Sequence, residues 1–244
     1  NTRVATRIIG NNQDDHTIQF DQNVILNTVF FPENLNNIGL FATSYRNFST
    51  LVRDNSITNL NRQAILIQDA PSQNGNDVFE IANNVIENAS TGIEVINTDG
   101  FNDNSESISI LQNMVRYNAV TMYQPIGIAL RNLDNISVVS DRNEINFNVE
   151  PNFLSTGFRV SGIGANTNFR FSNETVNATG NLLSESYGFW ISSPSASSSK
   201  VKVENSMLLN CRRGLNLDQG LAKIEVFQNI FLYDIKNDVP RFNS

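Results

Sequence analysis

The 244-residue chain has one histidine, one cysteine, one tryptophan and three methionines. The single cysteine, Cys211, cannot close a disulfide within the chain and has no metal-site spacing around it. It is therefore expected as a small buried core residue. One histidine, His16, with no ordering partner in view, puts a nucleophilic triad out of reach. Charge is scarce as well, at 17% of residues, with 17 Lys+Arg against 24 Asp+Glu for a net charge of −7. No basic stripe is present to neutralise phosphates, which argues against nucleic acid and against attraction to anionic membranes. No run of about 18 apolar residues occurs, so no membrane-spanning helix and no membrane insertion are expected. The opening Asn1-Thr2-Arg3-Val4 has neither an initiator methionine nor an apolar signal segment, and reads as a mature or trimmed product.

Hydrophobic residues make up 40% of the chain and recur from end to end, the opposite of a disordered composition. The unusual abundance is asparagine: 39 residues, about 16%. It falls on a repeat. Asn55-Ser-Ile57-Thr-Asn-Leu60-Asn-Arg-Gln-Ala64-Ile65-Leu-Ile67 aligns without a gap on Asn83-Asn-Val85-Ile-Glu-Asn88-Ala-Ser-Thr-Gly92-Ile93-Glu-Val95. The pattern returns at Asn113 with Gly127-Ile128-x-Leu130, at Asn143 with Gly157-Phe158-x-Val160, at Val176 with Gly188-Phe189-x-Ile191, and at Asn205 with Gly214-Leu215-x-Leu217. A second signature, apolar-x-apolar-x-x-Asn, precedes the asparagine, as in Ile18-x-Phe20-x-x-Asn23 and Ile224-x-Val226-x-x-Asn229; Glu174 takes the asparagine position after Phe169-x-Phe171.

The alternation has period 2, which excludes a helical solenoid. Three short strands per repeat, with no helix, predict an all-β, single-stranded right-handed parallel β-helix of about seven to eight coils. One domain is expected over 1–244, with 1–17 as an amino-terminal cap, 18–235 as coils and 236–244 as a tail. Asparagine suits the turns because it tolerates left-handed backbone and its amide can bond the equivalent amide one coil away. The small residue before each third strand predicts a corner that needs positive φ or lacks room for a side chain.

With these repeats the sequence resembles the right-handed parallel β-helix superfamily, which includes pectate lyases, polygalacturonases, phage tailspikes and many surface proteins. The resemblance covers about residues 18–235 and is architectural. It implies a polysaccharide lying along the outside of one sheet, and an extracellular or cell-surface location. If Ile93/Val95 and their equivalents point inward, the outward column of the third strand reads Leu66, Glu94, Ala129, Arg159, Trp190, Asn216. Glu94, Arg159, Trp190 and Asn216 are the expected glycan-binding set: an aromatic plane for a sugar ring, with charged and amide partners for its polar groups.

Asn97-Thr98-Asp99-Gly100 resembles the NTDG motif of polygalacturonases, whose aspartate is catalytic. Hydrolysis with inversion needs a second carboxyl group about 6.5–9.5 Å away. The candidate catalytic side chains are thus Asp99, Glu94 and Arg159, but the rest of that family's set is missing. A lyase would pair a basic residue with calcium; Arg116, Arg131, Arg142 and Arg159 recur on neighbouring coils. Asp99, Asn102, Asp103 and Glu106 crowd oxygens into one loop and are the candidate calcium ligands, without an EF-hand spacing. The sequence therefore predicts a secreted or surface module bound to or displayed against polysaccharide. The alternatives are a diverged lyase or glycoside hydrolase, and a structural spike or adhesin fragment, the last a possible homo-oligomer.

Overall fold

The computed structural model describes residues 2–9, 16–26, 36–43, 48–69, 78–99, 107–118, 124–148, 154–179, 185–194, 198–218 and 223–232. All regular structure among them is β, and every strand pairing is parallel. The chain winds through three faces in a fixed order. The first face is an eight-stranded sheet in sequence order: β2 His16–Asp21, β5 Phe48–Arg53, β7 Val78–Ala82, β9 Ser107–Leu111, β12 Ser137–Asp141, β15 Asn168–Ser172, β18 Lys200–Glu204 and β21 Lys223–Phe227. The second face holds the short strands β3 Val24–Leu26, β10 Met114–Tyr117, β13 Glu144–Phe147, β16 Thr175–Asn177, β19 Met207–Leu209 and β22 Ile230–Leu232. The third holds β1 Thr2–Ile9, β4 Asn36–Thr43, β11 Ile126–Asp134, β14 Ser155–Ile163, β17 Ser186–Pro194 and β20 Arg213–Leu217. Two long strands, β6 Ser56–Gln68 and β8 Val85–Asp99, run through the second and third faces without a break and join them into one sheet. The fold is therefore a parallel β-solenoid, as the repeats predict.

About five turns, from β5 to β17, are closed by fully buried columns, fewer than the seven to eight coils expected. The repeats continue into levels at both ends, but there Phe20, Ile25, Ile224 and Phe231 are only partly buried. Within the expected cap, Thr2–Ile9 forms a strand paired with β4 on the third face; the tail at 236–244 lies outside the described residues. Inside, like stacks on like. Phe158 and Phe189 stack with centroids 4.6 Å apart, Tyr117 and Phe147 at 4.9 Å, and Phe171 meets both Phe158 and Phe189 edge-on. Cys211 is buried with these apolar residues, and burial pushes its thiol up to about 12.

The turn between the first and second faces divides the asparagine work between two adjacent positions. Gln22, Asp54, Asn83, Gln112, Arg142, Asn173, Asn205 and Gln228 all take positive φ, between 50° and 56°. The next residue points inward and forms a ladder. Asn84 Nδ2 donates to Asn113 Oδ1 at 2.8 Å and Asn113 Nδ2 to Asn143 Oδ1 at 3.0 Å. Each main-chain N–H donates to the same oxygen, at 3.0 Å from Asn84 and 2.9 Å from Asn113. These interior asparagines are fully buried, so the chain satisfies its buried turn amides with its own side chains.

That ladder corrects the gapless alignment of the repeats. Asn55 corresponds to Asn84 rather than Asn83, and Ile57 pairs with Ile86 rather than Val85. Ile86 is fully buried while Val85 is 38% exposed. A register shift between Leu60 and Gln63 removes one residue from the offset, so that Ile65 pairs with Ile93 as the alignment expects. The structural asparagine is thus 84, not 83, and at the next-to-last level Ser206 rather than Asn205. Asn83 and Asn205 serve instead as left-handed residues.

Candidate functional site

The third face carries the outward column in the predicted register. Leu66 pairs with Glu94, Glu94 with Ala129, Ala129 with Arg159, Arg159 with Trp190 and Trp190 with Asn216. The column is not uniformly open. Glu94 is 3% exposed, and Leu66, Ala129 and Asn216 are also buried, whereas Arg159 and Trp190 remain part-exposed. The accessible part of the ladder is centred on those two side chains.

Around them lies a network of six charged groups. Glu94 Oε1 is 3.1 Å from Arg131 Nε, and its Oε2 accepts from Gln63 Nε2 at 2.5 Å. The Arg159 guanidinium carbon sits 4.9 Å from the Trp190 ring centroid, a cation–π distance. Trp190 Nε1 donates to Asp218 Oδ2 at 2.7 Å, and Asn216 Nδ2 donates to the other oxygen, Oδ1, at 3.2 Å. The Tyr187 ring stacks on Trp190 at 5.0 Å. Tyr187 itself lies under the Arg213 guanidinium, 5.3 Å away, and donates from its hydroxyl to Glu185 Oε2 at 2.7 Å. Arg213 closes the cluster with an ion pair to Glu185 at 3.2 Å.

The electrostatics single out Arg159. Burial pulls its guanidinium below the ordinary value and the neighbouring Arg131 pushes the same way, while Glu94 and Asp218 oppose. Arg131 and Arg213 each have a carboxylate at ion-pair distance; among the described residues Arg159 has none. Its Nε hydrogen has no hydrogen-bond acceptor there. Tyr187 is pushed up to about 12, first by burial and then by its hydrogen bond to Glu185, so it stays a neutral donor.

The structure therefore brings Glu94, Arg159, Trp190 and Asn216 onto one ladder. Asp99 ends β8, where its backbone pairs with Asp134; its side chain, and Asn102, Asp103 and Glu106 altogether, lie outside the described residues. Among the described residues no group of three or more His, Cys, Asp or Glu side chains is close enough to hold a metal ion. Asp218, Tyr187, Arg213 and Glu185 belong to the cluster but not to the sequence-derived set. Alternation carried on from Asn216 would have reached Asp218. It could not reach Tyr187, because parity breaks at the corner: a Cβ on Gly188 would point at Leu208 of the core, and the next residue, Phe189, also points inward.

The class of protein defined here is a parallel β-solenoid with one arginine–tryptophan pair on an outer strand ladder. Comparison with protein-family models, curated proteins and solved structures yields no match for the chain.

Proposed function

We propose that the chain is a secreted or cell-surface module that binds polysaccharide along the third face, with Arg159 and Trp190 as the contact point. The observation carrying this reading is the Arg159–Trp190 pair itself, a part-exposed cation on a part-exposed indole, with its neighbours already bonded to one another. An aromatic surface suits the apolar face of a sugar ring, and an arginine with no described carboxylate at ion-pair distance suits its hydroxyl or carboxylate oxygens. Trp190 is fixed by Asp218 at its edge and Tyr187 on its ring, so binding orders little that is not ordered already. The accessible part of the ladder, Arg159 and Trp190, spans one step of about 4.8 Å, the scale of one sugar unit of a polymer.

An oligosaccharide array identifies the glycan, and titration with that oligosaccharide gives its affinity. Trp190→Ala and Arg159→Ala are each expected to weaken binding roughly tenfold or more. Unchanged affinity in both would sink the proposal. An assay for new reducing ends or unsaturated products on the same oligosaccharides separates binding from cleavage; product formation abolished by Asp99→Ala would assign an enzyme instead.

A further inference from the structure

The four lysines of the chain, Lys200, Lys202, Lys223 and Lys236, all fall from position 200 onward. Three of them stand on the first face, on the neighbouring strands β18 and β21, and Arg170 joins them from β15. Alternation turns these side chains outward, because Val201 and Val203 between them are buried in the core. Parallel register then stacks Lys200 on Lys223 and Arg170 on Lys202, each pair one strand spacing of about 4.8 Å apart. Like charges directly opposite one another on neighbouring strands destabilise a sheet. The same two columns carry only Ser107, Ser109, Ser137 and Val139 on β9 and β12, so the charge is confined to the levels of β15, β18 and β21.

Two carboxylates answer the four cations. Glu204 Oε1 accepts from Arg170 Nε at 2.7 Å, and its Oε2 lies 2.6 Å from Lys202 Nζ. Glu225 Oε2 lies 2.8 Å from Lys200 Nζ, and its Oε1 2.8 Å from Lys223 Nζ. Asp141, on the level before, has its own cation in Arg142 at 3.5 Å and accepts from Ser172 and Asn173. The four cations and two carboxylates therefore keep two positive charges. Both carboxyl groups respond to that surplus: Lys202 and Arg170 hold Glu204 below its ordinary value, and Lys200 and Lys223 hold Glu225 down at about 2. An ammonium group has three hydrogens, and each of these contacts uses one. The cationic side chains stay accessible, at 60% for Arg170, 41% for Lys200, 30% for Lys202 and 70% for Lys223. Phe227, 49% exposed, borders them with its ring centroid 5.7 Å from Lys202 Nζ. The rest of the chain, with 13 Lys+Arg against 22 Asp+Glu, carries a charge of −9. The positive surplus is thus local and opposed to the field of the whole molecule.

We infer that this flank of the first face binds an acidic polysaccharide, one bearing sulfate or carboxylate groups, through Arg170, Lys200, Lys202 and Lys223, at a site separate from the Arg159–Trp190 pair. Its anionic groups relieve the repulsion between stacked cations that two carboxylates leave in place. A single polymer strand can follow the ladder and meet the cations alone. A nucleic-acid duplex or a bilayer is broad enough to meet the surrounding acidic surface as well, which repels it. Phe227 supplies an apolar border for a sugar ring.

Titration of the intact chain with a sulfated dextran oligosaccharide, followed by calorimetry at low and high salt, tests this. Binding is expected in the wild type and is expected to weaken as salt is raised. Lys200→Gln with Lys223→Gln is expected to weaken it roughly tenfold or more, and Lys200→Arg with Lys223→Arg to keep it. Arg53→Gln with Arg116→Gln removes the same charge elsewhere on the rod and is expected to leave the affinity unchanged. All the substituted side chains are at least part-exposed, and an unchanged far-ultraviolet circular dichroism spectrum verifies that each variant is folded. Absence of binding by the wild type overturns the inference, as does equal weakening in the two glutamine variants. So does equal binding of uncharged dextran of the same length, or tighter binding of a DNA duplex carrying the same number of charges.

Discussion

Asn113 does four things at once: its Oδ1 accepts from the N–H and the Nδ2 of Asn84, and its own Nδ2 donates to the Ile81 carbonyl at 2.8 Å and to Asn143 Oδ1 at 3.0 Å. Asn113→Ala leaves those groups buried and unbonded, for an expected loss of about 2 kcal/mol or more in denaturant unfolding. Asn83→Ala removes no ladder bond and strains only one left-handed residue, so about 1 kcal/mol is expected there. At one step the ladder has Glu174 in place of asparagine. Its Oε2 accepts from the Asn143 N–H at 2.7 Å, and Ser140 occupies the otherwise apolar column beside it and bonds the same carboxyl group. Burial pushes Glu174 up to about 8, with the nearby Asp141 carboxylate adding to the rise and its hydrogen bonds opposing. The native state therefore holds a proton that the unfolded chain has released above its ordinary value of 4.5. Stability from this group is present below about pH 4.5 and is lost as pH rises toward 8. The urea midpoint should fall between pH 5 and pH 8 in the wild type, and Glu174→Gln should flatten that fall; an equal slope in the variant would contradict the assignment.

At the scale of the element, the small residue before the third strand is there for space. A Cβ on Gly127 would lie 2.7 Å from the Gly157 carbonyl oxygen and would collide with the Ile145 side chain, and Gly92, Gly157 and Gly188 are confined in the same manner. None of these has positive φ, so of the two reasons the sequence allows, lack of room is the operative one. Gly127→Ala is expected to cost roughly 1–3 kcal/mol by overpacking, read as a lowered thermal midpoint. The strand faces were legible because the inner columns are apolar and alternate with period 2: Ile93 and Val95, Phe158 and Val160, Phe189 and Ile191 all face the core as expected. The asparagine register was legible only in part. Two consecutive asparagines at 83 and 84 satisfy the pattern equally well on paper, and a register shift inside β6 is invisible to a gapless comparison.

For the molecule as a whole, a regular scaffold converts spacing along the chain into height along the rod, which is why Glu94, Arg159, Trp190 and Asn216 could be assigned to one column from sequence alone. What could not be read was the company they keep. Asp218, Tyr187 and Arg213 complete the cluster through side-chain directions set by the corner and by neighbouring levels. Nor did alternation foretell that Glu94, an outward residue, is buried by its bonds to Arg131 and Gln63. Arg159 is the cation of the cluster left without a described carboxylate, and it lies over the only tryptophan in the chain. The most direct measurement is titration of the folded chain with an array-selected oligosaccharide, followed by tryptophan fluorescence, in the wild type and in Trp190→Phe and Arg159→Ala, with calorimetry for the variant that lacks the indole. Binding that shifts the wild-type emission, persists in part with phenylalanine and drops roughly tenfold without the arginine is the predicted result. Binding with full affinity in Arg159→Ala and no change in Trp190 emission would contradict it.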